Sequence, residues 1–171
     1  MRTLLKTMLA ASLLSLCAAT AFAYEDVATD VAYTMASTDA NVYILDIRTA
    51  AEWQWVGHPG KNKLGEGAGL EGKVVNVSYK IENKGSMIVN PSFLNEINEI
   101  FGENTDVVLI TMCRSGSRSA NASADLEAAG YRVLNLAAGF EGGSDAAGYR
   151  TRNGWKVEGL PYTYSGAGYQ D

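Results

Sequence analysis

The feature of this chain that most constrains its fold is the alternation of short apolar runs with segments of helical character. The runs span residues 41–46, 73–77, 106–111 and 131–136, and they are rich in β-branched and aromatic residues. Runs that are apolar on nearly every residue are typical of strands buried on both faces. Strands that alternate with helices form a mostly parallel sheet with helices on both faces, so we predict a three-layer α/β domain.

Helix start and stop signals lie between the apolar runs. Thr49 and Glu52 form a capping box, in which each side chain accepts a backbone N–H of the other residue, so a helix is predicted to begin there. Asn90 is the expected N-cap of a second helix, which Gly102 would end. A third helix, composed of small residues, is predicted over residues 119–129.

The first 23 residues have the pattern of a secretory signal peptide. Arg2 and Lys6 accompany an apolar segment, and residues 21–23 supply the small-x-small pattern that signal peptidase recognises. We predict cleavage before Tyr24 and a periplasmic or secreted mature protein. A membrane anchor and a lipid attached to Cys17 are the alternatives, and the short apolar segment and the bulky residue before that cysteine argue against them.

Removal of this segment would leave 148 of the 171 residues, which is enough for one domain with its own core. It would also take the formal net charge from −5 to −7. Such an acidic protein is a poor partner for nucleic acids, and no later segment is long and apolar enough to cross a bilayer. We therefore predict a monomeric domain over residues 24–161 that binds neither nucleic acid nor, after cleavage, a membrane.

Cys113 is the one cysteine that would remain after cleavage. Exported proteins usually pair their cysteines in disulfides, so a lone thiol is expected to be buried and inert, paired with another chain, or used in chemistry. Cys113 lies just past the end of the predicted strand over residues 106–111. It therefore lies at the carboxyl edge of the sheet, where α/β proteins bind their ligands.

The segment from Cys113 to Arg118, C-R-S-G-S-R, combines three features that favour an anion. A short loop containing Gly116 can curl so that successive N–H groups point inward. The helix that follows directs its N-terminus at the same spot, and Arg114 and Arg118 add positive charge. All three favour the thiolate of Cys113, which is the nucleophilic form.

This segment resembles the active-site loop of the rhodanese-like sulfurtransferases, whose common form is close to C-R-S-G-x-R-S. Residues 45–53, L-D-I-R-T-A-A-E-W, are similar to the family's L-D-V-R-x-x-x-E-[YFW] segment. Residues 57–60 more weakly resemble the family's G-H-I-P-G-A turn, and residues 139–155 resemble its closing G-G-x-x-x-W segment. The resemblance spans about residues 40–161 and implies the rhodanese-like fold.

The resemblance also implies a two-step sulfur transfer that needs no cofactor or metal. Cys113 would attack the outer sulfur of a small donor such as thiosulfate and hold it as a persulfide, which an acceptor thiol or cyanide would then remove. A second hypothesis is a sulfur carrier that delivers the persulfide to a partner protein with little small-molecule turnover. A third is a redox sensor in which the exposed thiolate is oxidised.

The implied substrate-binding residues are those of the loop and one arginine outside it. Two arginines would bind the donor's oxygens, and the loop amides would surround the sulfur. Arg48 is expected near the same edge, and an ion pair with Asp46 is an equally good alternative for it. The residues expected to bind substrate are therefore Arg48, Arg114, Ser115, Gly116, Ser117 and Arg118.

Loop length separates two chemistries that use this fold. Related phosphatases and arsenate reductases have a C-x5-R loop that cradles a tetrahedral oxyanion, whereas Arg118 is one residue closer to Cys113. The tighter loop suits a single sulfur atom. His58, the only histidine, is expected to stabilise a turn, and one cysteine with one histidine forms no metal-ligand cluster.

Two segments are longer than a minimal single domain of this family needs. Residues 57–72 are predicted to form a long surface loop, and residues 138–155 to loop over the edge that carries Cys113. Either loop could restrict access to small donors or dock a partner protein. Residues 162–171 are expected to form a C-terminal tail, either docked or disordered. The three tryptophans are expected to pack in the core or at its edge: Trp53, Trp55 and Trp155.

Overall fold

The structure is a computed structural model that describes residues 24–102 and 106–165. The helices are α1 (Thr29–Thr38), α2 (Ala50–Val56), α3 (Phe93–Phe101) and α4 (Ser117–Ala128), with a 3₁₀ turn at Ala68–Leu70. The strands are β1 (Glu25–Val27), β2 (Val42–Asp46), β3 (His58–Pro59), β4 (Val74–Asn76), β5 (Lys80–Asn83), β6 (Ser86–Val89), β7 (Val108–Met112), β8 (Arg132–Leu136), β9 (Gly143–Ser144), β10 (Arg150–Arg152) and β11 (Tyr162–Thr163).

A five-stranded sheet in the order β1-β8-β7-β2-β4 forms the centre of the domain. All four pairings between its neighbouring strands are parallel. The prediction of a parallel α/β sheet is therefore confirmed. Because the strands are parallel, their carboxyl ends meet at one edge, and Cys113 follows β7 at that edge.

Apolar side chains leave the sheet alternately toward its two faces, as the two-residue period of a strand requires. Leu45 and Leu109 pack with residues of α3 and α4 on one face. Ile44 and Ile110 pack with residues of α1 and with Trp155 on the other face. Both faces are therefore covered, and the predicted three-layer arrangement is confirmed.

The helix boundaries differ from the predictions in two places. The capping box at the start of α2 is present as predicted. The N-cap assignment of Asn90 is wrong, because α3 begins at Phe93. Asn90 instead closes a turn before the helix, where its Oδ1 accepts the Ser92 N–H at 3.0 Å. Helix α4 begins at Ser117, two residues before the predicted start.

A β-hairpin formed by β5 and β6 was not predicted. Its two-residue turn places Lys84 at φ 50° and Gly85 at φ 81°. Two consecutive positive φ angles are the requirement of a type I′ hairpin turn. The hairpin follows Tyr79, which directly precedes β5, and the Asn90 N–H closes its base by donating to the Tyr79 carbonyl at 2.8 Å.

The segment 57–72 is only partly the surface loop that the sequence predicted. Its first residues form β3, which pairs with β11, and the side chain of Leu70 is buried. Residues 162–163, the first of the predicted C-terminal tail, pair with β3, which is the docked alternative for this part of the tail. The rest of the predicted tail, residues 166–171, and the predicted signal peptide, residues 1–23, lie outside the described residues.

The described helices include none that is long and apolar enough to cross a membrane. Trp53 and Trp155 are buried, at 4% and 0% exposed, as predicted. The prediction for Trp55 is wrong, because this side chain is 78% exposed. Helix α2 turns Trp55 toward solvent, since it lies two residues after the buried Trp53 and so on another face of the helix.

Candidate active site

Cys113 lies where β7 ends and the chain turns toward α4. The Met112 carbonyl at the strand end accepts the Ile47 N–H at 2.9 Å, which ties this point to the chain leaving β2. Residues 113–118, which we call the Cys113 loop, lead directly into α4. The free N–H groups at the helix start therefore lie next to the cysteine.

The Cys113 loop is held in place by residues that follow β8. The Phe140 N–H donates to the Cys113 carbonyl at 2.8 Å, and the Glu141 N–H donates to the Arg114 carbonyl at 2.9 Å. The segment 138–155 therefore runs along the edge that carries Cys113, as predicted. These bonds occupy two carbonyls of the loop and fix the loop against this segment.

Two glycines, Gly116 and Gly139, allow the Cys113 loop and the chain that follows β8 to approach each other closely. Gly116 has a φ of +93°, and a Cβ built on it would lie 2.0 Å from the Ala137 carbonyl oxygen. Gly139 has a φ of +67°, and its Cβ would lie 2.6 Å from the Ser115 nitrogen. No side chain fits either position, so the loop geometry requires glycine at both.

The sulfur of Cys113 accepts hydrogen bonds inside the loop. The Gly116 N–H donates to Sγ at 3.1 Å, and the Ser119 Oγ lies 3.5 Å from Sγ. Cys113 is 1% exposed, so these groups replace water around the sulfur. The Ser119 hydroxyl also lies 2.8 Å from the Gly116 carbonyl. Its one proton can serve either acceptor, and a negatively charged sulfur forms the stronger bond.

The environment of Cys113 favours the thiolate. Burial by itself raises the pKa of this thiol, but hydrogen bonds from the Ser119 hydroxyl and from backbone N–H groups of the loop and helix start outweigh that effect. The pKa of Cys113 is therefore below its usual value. A thiol with a lowered pKa is the more reactive one at neutral pH, which is the property that the sequence predicted for this position.

Substitution of Ser119 tests this account of the thiolate. Ser119→Ala removes a donor to the sulfur, so the pKa of Cys113 is expected to rise by about one unit, the equivalent of a single hydrogen bond. The rate of alkylation by iodoacetamide, measured against pH, should shift its midpoint upward by that amount. Ser123→Ala is the control, because the Ser123 hydroxyl bonds Thr111 instead of the sulfur. Equal shifts of the Cys113 pKa in both variants would contradict the assignment of Ser119 as a hydrogen-bond donor to the sulfur.

Arg118, predicted to bind substrate, forms a two-bond ion pair with Glu52. Its Nη1 and Nη2 donate to the two carboxylate oxygens at 2.7 and 2.6 Å. Burial raises the pKa of Glu52, but the bonds from Arg118 and Thr49 prevail and lower it to about 2. Glu52 therefore stays ionised, and Arg118 stays paired with it throughout the neutral pH range.

The other predicted residues of the Cys113 loop differ in exposure. Arg114 and Ser117 are exposed, Ser115 is half-buried, and Gly116 is buried. Within the described ranges, Arg114 forms no ion pair. Its guanidinium is therefore available to solvent and to ligands, whereas that of Arg118 is already engaged.

Arg48 occupies the ion pair that was its alternative role. Its guanidinium is fully buried, donates to both oxygens of Asp46 and also donates to the Gly57 carbonyl at 2.7 Å. Its Cζ lies 4.1 Å from the centroid of the Phe140 ring. Arg48 has no exposed surface for a ligand, so the expectation that it binds substrate is corrected: it supports the segment that anchors the Cys113 loop.

His58 follows α2 closely but lies in strand β3, where it pairs with Thr163 of β11, rather than in the predicted turn. Its ring stacks on Trp53 with centroids 3.7 Å apart, and its Nδ1 lies 2.9 Å from the Pro59 carbonyl oxygen. Burial lowers the pKa of His58, which leaves the ring neutral at physiological pH. Its contacts with Trp53 and Pro59 pack β3 against α2.

Three residues belong to the site beyond those predicted for it. Ser119 faces the sulfur, and the repeated serine of the sequence R-S-G-S-R-S was a signal for it. Glu52 was predicted only as part of a capping box, and its second partner, Arg118, is 66 residues away in sequence. The close approach of Gly139 to the Cys113 loop was not predicted, although residues 138–155 were expected to loop over this edge of the sheet.

Together, the fold and the site define an α/β protein with an anion-stabilising cysteine loop at the carboxyl edge of a parallel sheet. The family model described as Rhodanese-like domain matches residues 28–146. This chain therefore belongs to the rhodanese-like family, in agreement with the resemblance seen in its sequence.

Similar proteins are found among curated sequences and solved structures. An uncharacterized protein of Rickettsia prowazekii is 28% identical over 141 residues, which cover 82% of this chain and 98% of that protein. Thiosulfate sulfurtransferase 18 of Arabidopsis thaliana is 28% identical over 119 residues, or 69% of this chain and 78% of that protein. The crystal structure of Rv0390 from M. tuberculosis has a TM-score of 0.64 and 32% identity, covering 83% of this chain and 99% of that one.

Proposed function

We propose that this protein is a sulfurtransferase that moves a sulfane sulfur from thiosulfate or a persulfide to a thiol or cyanide. Its membership in the rhodanese-like family supports this, as do distant relatives named thiosulfate sulfurtransferase. The observation that carries the proposal is the position of the Cys113 sulfur. It is buried beneath the loop and accepts hydrogen bonds from the Gly116 N–H and the Ser119 hydroxyl.

The first half-reaction loads the sulfur onto Cys113. With thiosulfate, the Cys113 thiolate attacks the outer sulfur, a new S–S bond forms, and the bond to the sulfonate sulfur breaks as sulfite leaves. The negative charge then resides on the outer sulfur of the persulfide, Cys113–S–S⁻. The N–H groups that favour the thiolate also stabilise this anion, because they point at the region where the charge develops.

The second half-reaction discharges the sulfur. Cyanide attacks the outer sulfur of the persulfide, the S–S bond breaks, and thiocyanate leaves with the Cys113 thiolate restored. The leaving group is the same low-pKa thiolate that began the cycle, so its stabilisation by the loop helps both steps. The protein needs no external oxidant or reductant in this cycle.

The ion pair of Arg118 also argues against phosphatase chemistry. A phosphate-binding loop uses its arginine bidentately on the oxyanion. Here both terminal nitrogens of Arg118 bond Glu52, so this arginine is engaged before any ligand arrives. A single sulfur atom needs only the N–H groups of the loop, which agrees with the short spacing between Cys113 and Arg118.

Mass spectrometry of the purified full chain, combined with a turnover assay, tests the proposal. Thiosulfate is expected to add about 32 daltons, the mass of one sulfur atom, and cyanide to remove it. Release of thiocyanate over many cycles would establish an enzyme, whereas loading without turnover would indicate a carrier. Absence of the added mass would refute the proposal.

We further propose that the protein acts in the periplasm or outside the cell. The basic residues Arg2 and Lys6, the apolar segment and the small residues at 21 and 23 support this location. The same mass spectrum, recorded on protein recovered from the exporting host, reports whether the mature chain begins at Tyr24.

A further inference from the structure

The hairpin of β5 and β6 is attached at the same edge of the sheet as Cys113. Tyr79, the residue before β5, follows the carboxyl end of β4 and donates its N–H to the Ile47 carbonyl at 3.1 Å. The Ile47 N–H in turn donates to the carbonyl of Met112, the residue before Cys113, at 2.9 Å. The Tyr79 side chain also belongs to the apolar cluster that contains Cys113. The base of the hairpin is therefore anchored to the residues that position the nucleophile.

The hairpin exposes an uninterrupted apolar segment on β6. Met87, Ile88 and Val89 are 49%, 36% and 50% exposed, and β6 contains no charged residue. Within the described residues, β5 and β6 pair only with each other, so each strand has a free edge. Proteins usually protect a free edge with charges or proline, and contiguous exposed apolar surface marks interaction sites. An extended segment of another protein can therefore join β6 as a further strand.

The charge around the hairpin is opposite in sign to that of the rest of the molecule. The segments that leave the carboxyl ends of the five parallel strands contain six arginines and lysines but three aspartates and glutamates. These segments are Ala28 and residues 47–49, 77–92, 113–116 and 137–155. The remainder of residues 24–171 contains six arginines and lysines and sixteen aspartates and glutamates. The edge that carries Cys113 is therefore basic on an otherwise acidic chain.

Most of the cations at this edge are free to meet a partner. Arg48 and Arg150 form ion pairs with carboxylates of the chain. In the part of the chain that the structure describes, the other four form none: half-buried Lys80 and the exposed Lys84, Arg114 and Arg152. Such a surface attracts and orients an acidic partner, and its effect on association falls with ionic strength. Lys80 and Lys84 place part of this charge on the hairpin itself.

Building on the proposed function, we infer that the β5–β6 hairpin docks an acidic protein whose cysteine accepts the sulfur from Cys113. The Cys113 sulfur is buried, so a protein thiol reaches it only when that protein is held at this edge. Apolar side chains of the partner cover β6, and its carboxylates face the free cations. A small anion such as thiosulfate would use the charge alone and gain nothing from β6.

The transfer to this partner is a thiol–disulfide type exchange. The partner's thiolate attacks the outer sulfur of the Cys113 persulfide, the S–S bond breaks, and the Cys113 thiolate leaves. The sulfur remains on the partner as a persulfide. Atoms and charge therefore balance without another reactant.

Discharge of preloaded protein to two synthetic acceptors tests the docking surface. The full chain is loaded with thiosulfate, freed of excess donor, and mixed with a peptide that alternates valine with glutamate and ends in cysteine. N-acetylcysteine amide, a small uncharged thiol, is the reference acceptor. Intact mass gives the second-order rate constant of sulfur loss for each acceptor. Because loading precedes the measurement, the attraction of thiosulfate to the basic edge does not enter it.

Two variants alter the surface without changing the Cys113 loop. Lys84→Glu reverses an exposed charge at the hairpin turn, and Met87→Ser removes an exposed apolar side chain from β6. Each is expected to slow discharge to the peptide about tenfold and to change discharge to N-acetylcysteine amide less than about twofold. The effect of Lys84→Glu should shrink as salt is added, because it is electrostatic. Each acceptor is compared between wild type and variant, so its own thiol reactivity cancels.

Lys63→Glu and Leu64→Ser are the matched controls. Both side chains are exposed on the loop that leads into β4, and so lie toward the opposite edge of the sheet. They should leave both rate constants unchanged. Hairpin variants that behave like these controls, or that slow both acceptors equally, would overturn the docking surface.

Analytical ultracentrifugation of the wild type and of Met87→Ser completes the test. A monomeric wild type is expected. A dimer that Met87→Ser dissociates would overturn the inference, because a second copy of the chain would then occupy β6. Failure of the wild type to load sulfur, or to pass it to N-acetylcysteine amide, would instead refute the proposed function itself.

Discussion

Replacement of Cys113 by serine is expected to abolish both sulfur loading and turnover, with a loss of at least about a thousandfold in rate. A serine hydroxyl stays protonated where the Cys113 thiol ionises, and it forms no persulfide. The hydroxyl can still accept the N–H of Gly116, so the fold should persist. Intact mass after exposure to thiosulfate and thiocyanate release are the measurements.

The chain offers a matched control for this experiment in its other cysteine. Cys17 lies within the predicted signal peptide, and in the full-length protein, which retains residues 1–23, Cys17→Ser should load sulfur as the wild type does. Thermal unfolding of both variants checks that the fold is retained. An added mass of about 32 daltons on the Cys113→Ser protein would place the sulfur elsewhere and end the proposed mechanism.

Replacement of Gly116 by alanine is expected to destabilise the protein by about 3 kcal/mol or more and to suppress sulfur loading. The added Cβ would lie 2.0 Å from the Ala137 oxygen and 2.9 Å from its carbonyl carbon, both backbone atoms that cannot move aside cheaply. The loop must therefore separate from the segment that follows β8. This displaces the Gly116 N–H from the sulfur, which is expected to cost about a hundredfold in loading rate.

Gly130 is the control that separates the strain of a positive φ angle from the clash with Ala137. It has the same φ of +93°, but nothing lies within 4 Å of a Cβ built on it. Gly130→Ala should therefore cost only the dihedral strain, about 1 kcal/mol, and leave sulfur loading intact. Urea denaturation measures both free energies of unfolding. Equal losses in the two variants would show that the clash with Ala137 contributes nothing.

The parts of the fold that were predictable are those that local patterns encode. Four of the five strands of the central sheet were visible because apolar residues predominate in each of their runs, and the capping box of Thr49 and Glu52 marked the start of α2 correctly. Helix α1 lacked such a signal, because its buried residues are the small Thr29, Ala32 and Ala36 and it has no side-chain N-cap. The hairpin of β5 and β6 turns on Lys84 and Gly85, a weaker pattern than the usual Asn-Gly.

The candidate site likewise has one part that the local sequence predicts and another that depends on contacts distant in sequence. The local sequence around Cys113 predicted a loop that favours a thiolate, because the residues that supply the N–H groups are contiguous with the cysteine. The partner of Arg118 could not be predicted, since its pairing with Glu52 depends on how β7 and β2 align in the sheet. Charge counting along the sequence therefore overestimated the positive charge available to a donor.

The segment that anchors the Cys113 loop depends in turn on residues further along the chain. The Gly139 carbonyl accepts the Trp155 N–H at 3.0 Å, and the Trp155 indole donates to the Pro161 carbonyl at 2.8 Å. Both partners lie beyond residue 146, where the family match ends. A fragment that ends at residue 146 would contain every residue of the Cys113 loop. It would lack Trp155 and Pro161, which hold the anchoring segment in place. The conformation of the Cys113 loop therefore depends on residues throughout the described domain and not on the C-R-S-G-S-R segment alone.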